Sequence, residues 1–257
     1  METATNSIEP SDIPLSQRSG QLNAWKVLFV FLAYVVLLDV GQFMFAFAIG
    51  IYEGVTKTHL EDPIQILRIL GITFSIILAT VTTVIISWFF ERDLFKGEQQ
   101  AKIGWSWGSW FYLKMGLAGG AFLAGAIILI STLLPIDSNL NSVHFGLLST
   151  QGISRFILII LMVVCAPIAE ELLFRGVMFY GISRSWGQPT GCILVTLLFA
   201  LSHITKITAY WPTFFALIFL GTFTLFLRLR SQSISPPMFL HSSYNLIVAI
   251  FVLLQEN

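Results

Sequence analysis

The chain has 257 residues, 56% hydrophobic and only 11% charged, where an average soluble domain is about 25% charged. A folded surface in water needs polar residues to cover it, so this composition excludes a soluble globular enzyme, and it equally excludes a disordered chain. With 14 basic and 14 acidic residues there is no basic field for nucleic acid. The expectation is an all-α fold, a polytopic transmembrane helix bundle of about seven spans.

Residues 1–25 are polar, with Pro10, Pro14 and several serines, and read as a disordered cytoplasmic tail. The apolar run that begins at Val27 is too long for the core of a signal peptide, and no small-residue cleavage site closes it. A helix needs roughly 20 apolar residues to cross the hydrocarbon. That rule places spans near 27–51, 66–90, 111–135, 156–183, 190–206, 212–228 and 236–254. Three of them fall in a first region, 26–150, and the rest in 151–257, the candidate catalytic bundle. The fifth and sixth are short and are separated only by Ala209-Tyr210-Trp211-Pro212.

Trp105, Trp107 and Trp110 precede the third span as an interfacial aromatic belt. Gly116, Gly120, Ala121 and Gly125 give that span a small-residue face for close helix packing. The other aromatic residues read as lipid-facing and core packing. Cys165 and Cys192 sit in apolar runs and read as buried apolar residues. Ten of the 14 Lys and Arg residues fall on one side of the seven spans and four on the other. The positive-inside rule then puts the N-terminus in the cytoplasm and the C-terminus outside, in what is expected to be the plasma (inner) membrane.

An ionisable side chain within a bilayer costs roughly 2.5–3.5 kcal/mol on insertion scales and is a functional candidate by default. Here such residues are few. Asp39 lies in the first span and reads as a polar residue satisfied by a neighbouring helix. Glu170, Glu171 and Arg175 lie in the fourth, His203 in the fifth, and His241 with Asn245 in the seventh; His59 and His144 fall in loops. Glu171 and Arg175 are four apart, the spacing at which an acid and a base meet on one helix face, and read as a structural pair. Glu170 points about 100° away from Glu171 and needs another partner. His241 and Asn245 are again four apart and project from one face. Counted along their helices, Glu170, His203, His241 and Asn245 reach compatible depths between the cytoplasmic half and the middle of the membrane, with Pro167 a plausible kink.

A buried glutamate can act as general base toward water, with an imidazole sharing the proton. An imidazole N–H and an asparagine amide aimed at one point can stabilise an oxyanion. Together these make a peptide hydrolase without a serine or cysteine nucleophile. Glu170, His203 and His241 are also a zinc ligand set by residue type, although no His-Glu-x-x-His helix supports that alternative. The favoured reading has no cofactor.

Glu-Glu-x-x-x-Arg at 170–175, Phe-x-x-x-His at 199–203 and His-x-x-x-Asn at 241–245, in that order on three spans, resemble the CAAX protease and bacteriocin-processing family of intramembrane endopeptidases. The likeness covers roughly residues 155–250. It implies that Glu170 and His203 activate water and that His241 and Asn245 hold the oxyanion. Glu171 and Arg175 would support the site, with Phe199 packed beside it. It also implies a membrane-associated or lipid-modified peptide as substrate, with the bilayer as the other partner and no nucleic acid. Some family members look to have a further C-terminal helix after the motif-bearing seventh span, and its absence here is expected to alter the substrate entrance. The rival readings are a non-catalytic scaffold or immunity protein of the same family and a small transporter, the latter expected to show broken helices or inverted repeats.

Overall fold

The structure, a computed structural model, describes residues 22–56, 61–92, 96, 102–133, 152–209 and 211–255. The tail at 1–21, His59 and His144 lie outside these residues. Every long element among them is helical: α1 (Ala24–Thr56), α2 (Glu61–Phe90), α3 (Trp110–Leu133), α4 (152–186), α5 (Gln188–Leu201), α6 (Ile204–Ala209), α7 (Thr213–Ser231) and α8 (Ser235–Leu254). Five helices are long and apolar enough to cross a membrane, and Phe74–Phe90 and Gln188–Leu201 add two shorter apolar stretches. The protein is a multi-pass integral membrane protein.

Local chemistry sets the breaks. Gly187 takes a φ of 84°, a conformation that favours glycine, and ends α4; Pro189 then sits in the first turn of α5, where its missing N–H costs nothing. Pro236 and Pro237 open α8 in the same way. The fifth helix stops earlier than the apolar run suggests. The N–H of His203 bonds to Ala200 O, while Phe199 O, the acceptor that would have continued the helix, is taken by Ser202 Oγ at 2.8 Å. His203 therefore stands in the turn between α5 and α6 and not on the fifth span.

The helices pair α1 with α2 and α3 with α8, and α7 packs against α3, α5 and α8. Gly116 and Gly120 make the α3–α8 approach possible, since a Cβ at either would run into the main chain of Pro236 or Leu240. Gly125 meets nothing and lies outside that face, which is one turn shorter than expected. The core is centred on α4, where Phe174, Arg175, Met178 and Ile182 are fully buried together with Phe199 of α5 and Leu220 of α7. Large apolar side chains cover the outer faces of α1 to α3, the surface that lipid solvates at no cost.

Other expectations change. Cys165 is exposed and Cys192 half-buried, because the first widened turn of α4 faces outward at Cys165. Asp39 is exposed on α1. The Trp105–Trp110 segment is held by hydrogen bonds from Gly108 N to Ser235 Oγ, from Ser233 Oγ to Ser106 O and from Ile234 N to Gly104 O, while Trp105, Trp107 and Trp110 remain exposed.

Candidate active site

The site is built on an irregular stretch of α4. Leu161–Cys165 and Leu172–Met178 are π-helical, and Ala166–Glu171 between them is α-helical. The first widened turn has an identifiable cause. Ala166 N bonds to Leu161 O, five residues back, and the next bond in that register would run from residue 167 to Met162 O. Pro167 has no N–H to give. Asn245 Nδ2 fills the gap and donates to Met162 O at 2.8 Å. The widened turn thus sets where Glu170 and Glu171 emerge, and α8 supplies the missing donor.

Glu171 is fully buried and its Oε1 has two partners, Arg175 Nη1 at 3.1 Å and His241 Nδ1 at 3.0 Å. Arg175, also fully buried, donates through Nη2 to Gly221 O at 3.2 Å and lies over the Phe199 ring at 4.4 Å from its centroid. The i,i+4 pair is therefore present as the spacing predicts. It is extended to α8 through His241, a connection that no sequence spacing shows.

Glu170 points elsewhere. Its Oε2 lies 3.9 Å from His203 Nε2 and 3.9 Å from His241 Nε2, and this buried oxygen has no hydrogen-bond partner among the described residues. A separation of 3.9 Å is too long for a direct hydrogen bond. The other nitrogen of each ring is engaged. His203 Nδ1 lies 3.0 Å from Phe199 O, which can only accept, so that nitrogen carries the proton. His241 Nδ1 donates to the Glu171 carboxylate. Phe199 fixes both rings from the side, with centroids 5.1 Å from His203 and 5.8 Å from His241.

The structure thus brings Glu170, His203 and His241 to one point, with Glu171, Arg175 and Phe199 behind them. It takes the Asn245 amide to Met162 O instead, which leaves that amide one N–H and its carbonyl oxygen. As a zinc site, Glu170, His203 and His241 have the right donors, with both outer ring nitrogens held by acceptors as metal-binding histidines require. Yet among the described residues no three His, Cys, Asp or Glu side chains stand at metal-holding spacing.

Sequence reasoning missed Arg228. It closes the span expected at 212–228, and the structure buries it, with Nε donating to Arg175 O at 3.2 Å and Nη2 to Lys102 O at 2.7 Å. Nothing in Leu227-Arg228-Leu229-Arg230 distinguishes it from Arg230. Tyr34 of α1 is also buried.

Residues 152–247 match the family model of the Rce1-like proteins, described as type II CAAX prenyl endopeptidase Rce1-like. The UPF0177 protein YbdI of Lactococcus lactis subsp. lactis (strain IL1403) is 39% identical over 92 residues, which are 36% of this chain and 47% of that protein. The chain therefore spans about half the length of the curated relative it matches. No solved structure matches it. The matched stretch runs from the start of α4 into α8, and over these residues the chain is similar to the Rce1-like family.

Proposed function

We propose that this protein is an intramembrane endopeptidase that hydrolyses a peptide bond of a membrane-associated or lipid-modified peptide. One observation carries the reading: a buried, unpartnered Glu170 Oε2 faces two imidazole Nε2 atoms at 3.9 Å each. That gap suits a bridging water. Charge counting indicates how the water would be held. Glu171 and Arg175 cancel, so an ionised Glu170 is balanced inside the membrane when His241 carries a second proton, backed by Glu171. Water then donates one hydrogen to Glu170 Oε2 and the other to His203 Nε2, and accepts from His241 Nε2–H.

Attack on the scissile carbonyl carbon sends the water proton to Glu170, with His203 orienting the oxygen. The carbonyl oxygen becomes negative and is held by His241 Nε2–H, with the remaining N–H of Asn245 as second donor. Collapse of the tetrahedral species breaks the C–N bond, and the proton on Glu170 passes to the leaving amine. Zinc is the alternative electrophile; Glu170, His203 and His241 would hold it, and it would acidify water and polarise the carbonyl.

The test is cleavage of membrane-anchored and prenylated peptides by purified protein in lipid nanodiscs, read as new amino termini by mass spectrometry. Fragments from the wild type that Glu170→Gln does not yield support the reading. Intact peptides in both samples, or uptake of peptide into vesicles without fragments, overturn it in favour of a scaffold or a transporter.

A further inference from the structure

The second span carries a polar face that this chemistry does not use. Thr80, Thr83 and Ser87 recur at i, i+3 and i+7 on α2 and continue to Glu91, a helical periodicity that keeps them on one side. They do not face lipid: Thr83 is 2% exposed and Ser87 fully buried. With Ala169, Leu172 and Leu173 of α4 opposite, they line a small cleft between α2 and α4.

The hydrogen-bond inventory of that cleft is incomplete in a specific way. Ser87 Oγ donates to Thr83 O at 2.7 Å, and Thr83 Oγ1 donates to Thr80 O at 2.8 Å. Both hydroxyls have spent their proton and present only lone pairs. Thr80 Oγ1 is buried with no partner among the described residues, so its proton is still to be placed. One donor and two acceptors around a cleft with room for about one water molecule are the complement of a water, which needs two to four polar partners to be held. The cleft touches Ala169, the residue before Glu170. Its other end, Ser87, lies one turn from Glu91, where the polar end of the bundle begins with Leu22 N and Tyr180 OH bonded to the Glu91 carboxylate.

We propose that the Thr80–Thr83–Ser87 cleft is a hydration site, and that water held there replenishes the water consumed at Glu170. The supply role rests on the hydrolytic reading above; the hydration itself does not. An intramembrane hydrolase uses one water per turnover, and around the middle of α4 the outer face presents apolar side chains such as Val164 and Ile168. The hydroxyl face of α2 is a polar route between the membrane boundary and the carboxylate.

Two measurements on the full-length protein test this. Radiolysis of water by a synchrotron X-ray pulse oxidises the side chains beside bound water, read by mass spectrometry. Leu172 and Leu173, which line the cleft, are expected to be oxidised at least about tenfold more than lipid-facing Ile85. Oxidation of Leu172 and Leu173 no greater than that of Ile85 overturns the hydration site, whether or not the protein proves to be a peptidase. Separately, Thr80→Val with Thr83→Val is expected to lower kcat about tenfold while leaving KM within about twofold. Thr80→Ser with wild-type Thr83, which keeps each hydroxyl, should retain wild-type kcat. Oxidation at Leu172 and Leu173 together with an unchanged kcat in the double valine variant overturns the supply role.

Discussion

Glu170 and Glu171 are adjacent, yet their surroundings give them different work. Glu171 shares one oxygen between Arg175 and His241 and is fully buried, so it serves as an anchor. Glu170 keeps an oxygen without a partner among the described residues, which is what the proposed base requires before substrate arrives. Glu170→Gln keeps the size but not the basic oxygen and is expected to abolish cleavage while leaving the protein folded; fragment analysis beside a thermal melt in detergent checks both halves. Arg175→Ala strands Glu171 in the core, and breaking a buried pair from one side costs roughly 3–5 kcal/mol. Its expected signature is low abundance and early thermal unfolding; a stable but inactive Arg175→Ala protein would instead place Arg175 in the chemistry. The metal question is decided at this scale too. Without zinc, His241→Ala lowers turnover by roughly 10²–10³, the usual loss for one oxyanion donor, with little change in KM. Activity then also survives dialysis against a chelator. Loss on chelation, restored by micromolar zinc with about one zinc per chain, would give Glu170, His203 and His241 to the metal instead.

At the scale of elements, the spans were legible because crossing hydrocarbon demands long apolar runs, and the helices at 24–56, 110–133 and 235–254 follow them closely. The Glu171–Arg175 pair was legible because helical periodicity alone brings such residues together. What escaped depends on partners distant in sequence. His203 lies past the end of α5 because Ser202 takes the Phe199 carbonyl, a contest that hydropathy does not register. The widened turn at Leu161–Cys165 needs both Pro167 and Asn245, which are 78 positions apart in the sequence and meet only after α4 and α8 pack. This pairing predicts a non-additive result. Asn245→Ala leaves Met162 O unsatisfied and is expected to cost about 1–3 kcal/mol. With Pro167→Ala the backbone N–H returns, so Asn245→Ala should cost clearly less in that background, as measured by thermal unfolding of the four proteins of the cycle. Equal costs in both backgrounds would mean that Asn245 does not serve as the donor that Pro167 lacks.

At the scale of the molecule, the structure gathers the basic residues that the sequence assigned to one side. Arg184, in the last turn of α4, reaches Glu91 at 3.8 Å just past α2, and Leu22 N before α1 bonds to the same carboxylate. Arg228, near the end of α7, holds Lys102 O ahead of α3, and Arg230 lies one half-turn beyond. One end of the bundle therefore carries the starts of α1 and α3 and the ends of α2, α4 and α7. The opposite end carries Arg155 at the start of α4 and Lys206 on α6. Lys and Arg are retained on the cytoplasmic side during insertion, so the Arg184–Arg228 end is expected to face the cytoplasm. The hydroxyl face of α2 would then open toward cytoplasmic water through Glu91. Reporter fusions check this: a fluorescent protein ahead of residue 22 should be bright, and alkaline phosphatase after residue 255 should be active. Replacing Arg92, Lys96 and Lys102 with Ser should weaken the bias and yield mixed reporter signals, since short loops near span ends carry most of the orienting charge. A phosphatase fusion after residue 255 that stays inactive, with full activity when the same enzyme is placed ahead of residue 22, would invert the molecule and move the proposed water route to the other side of the membrane.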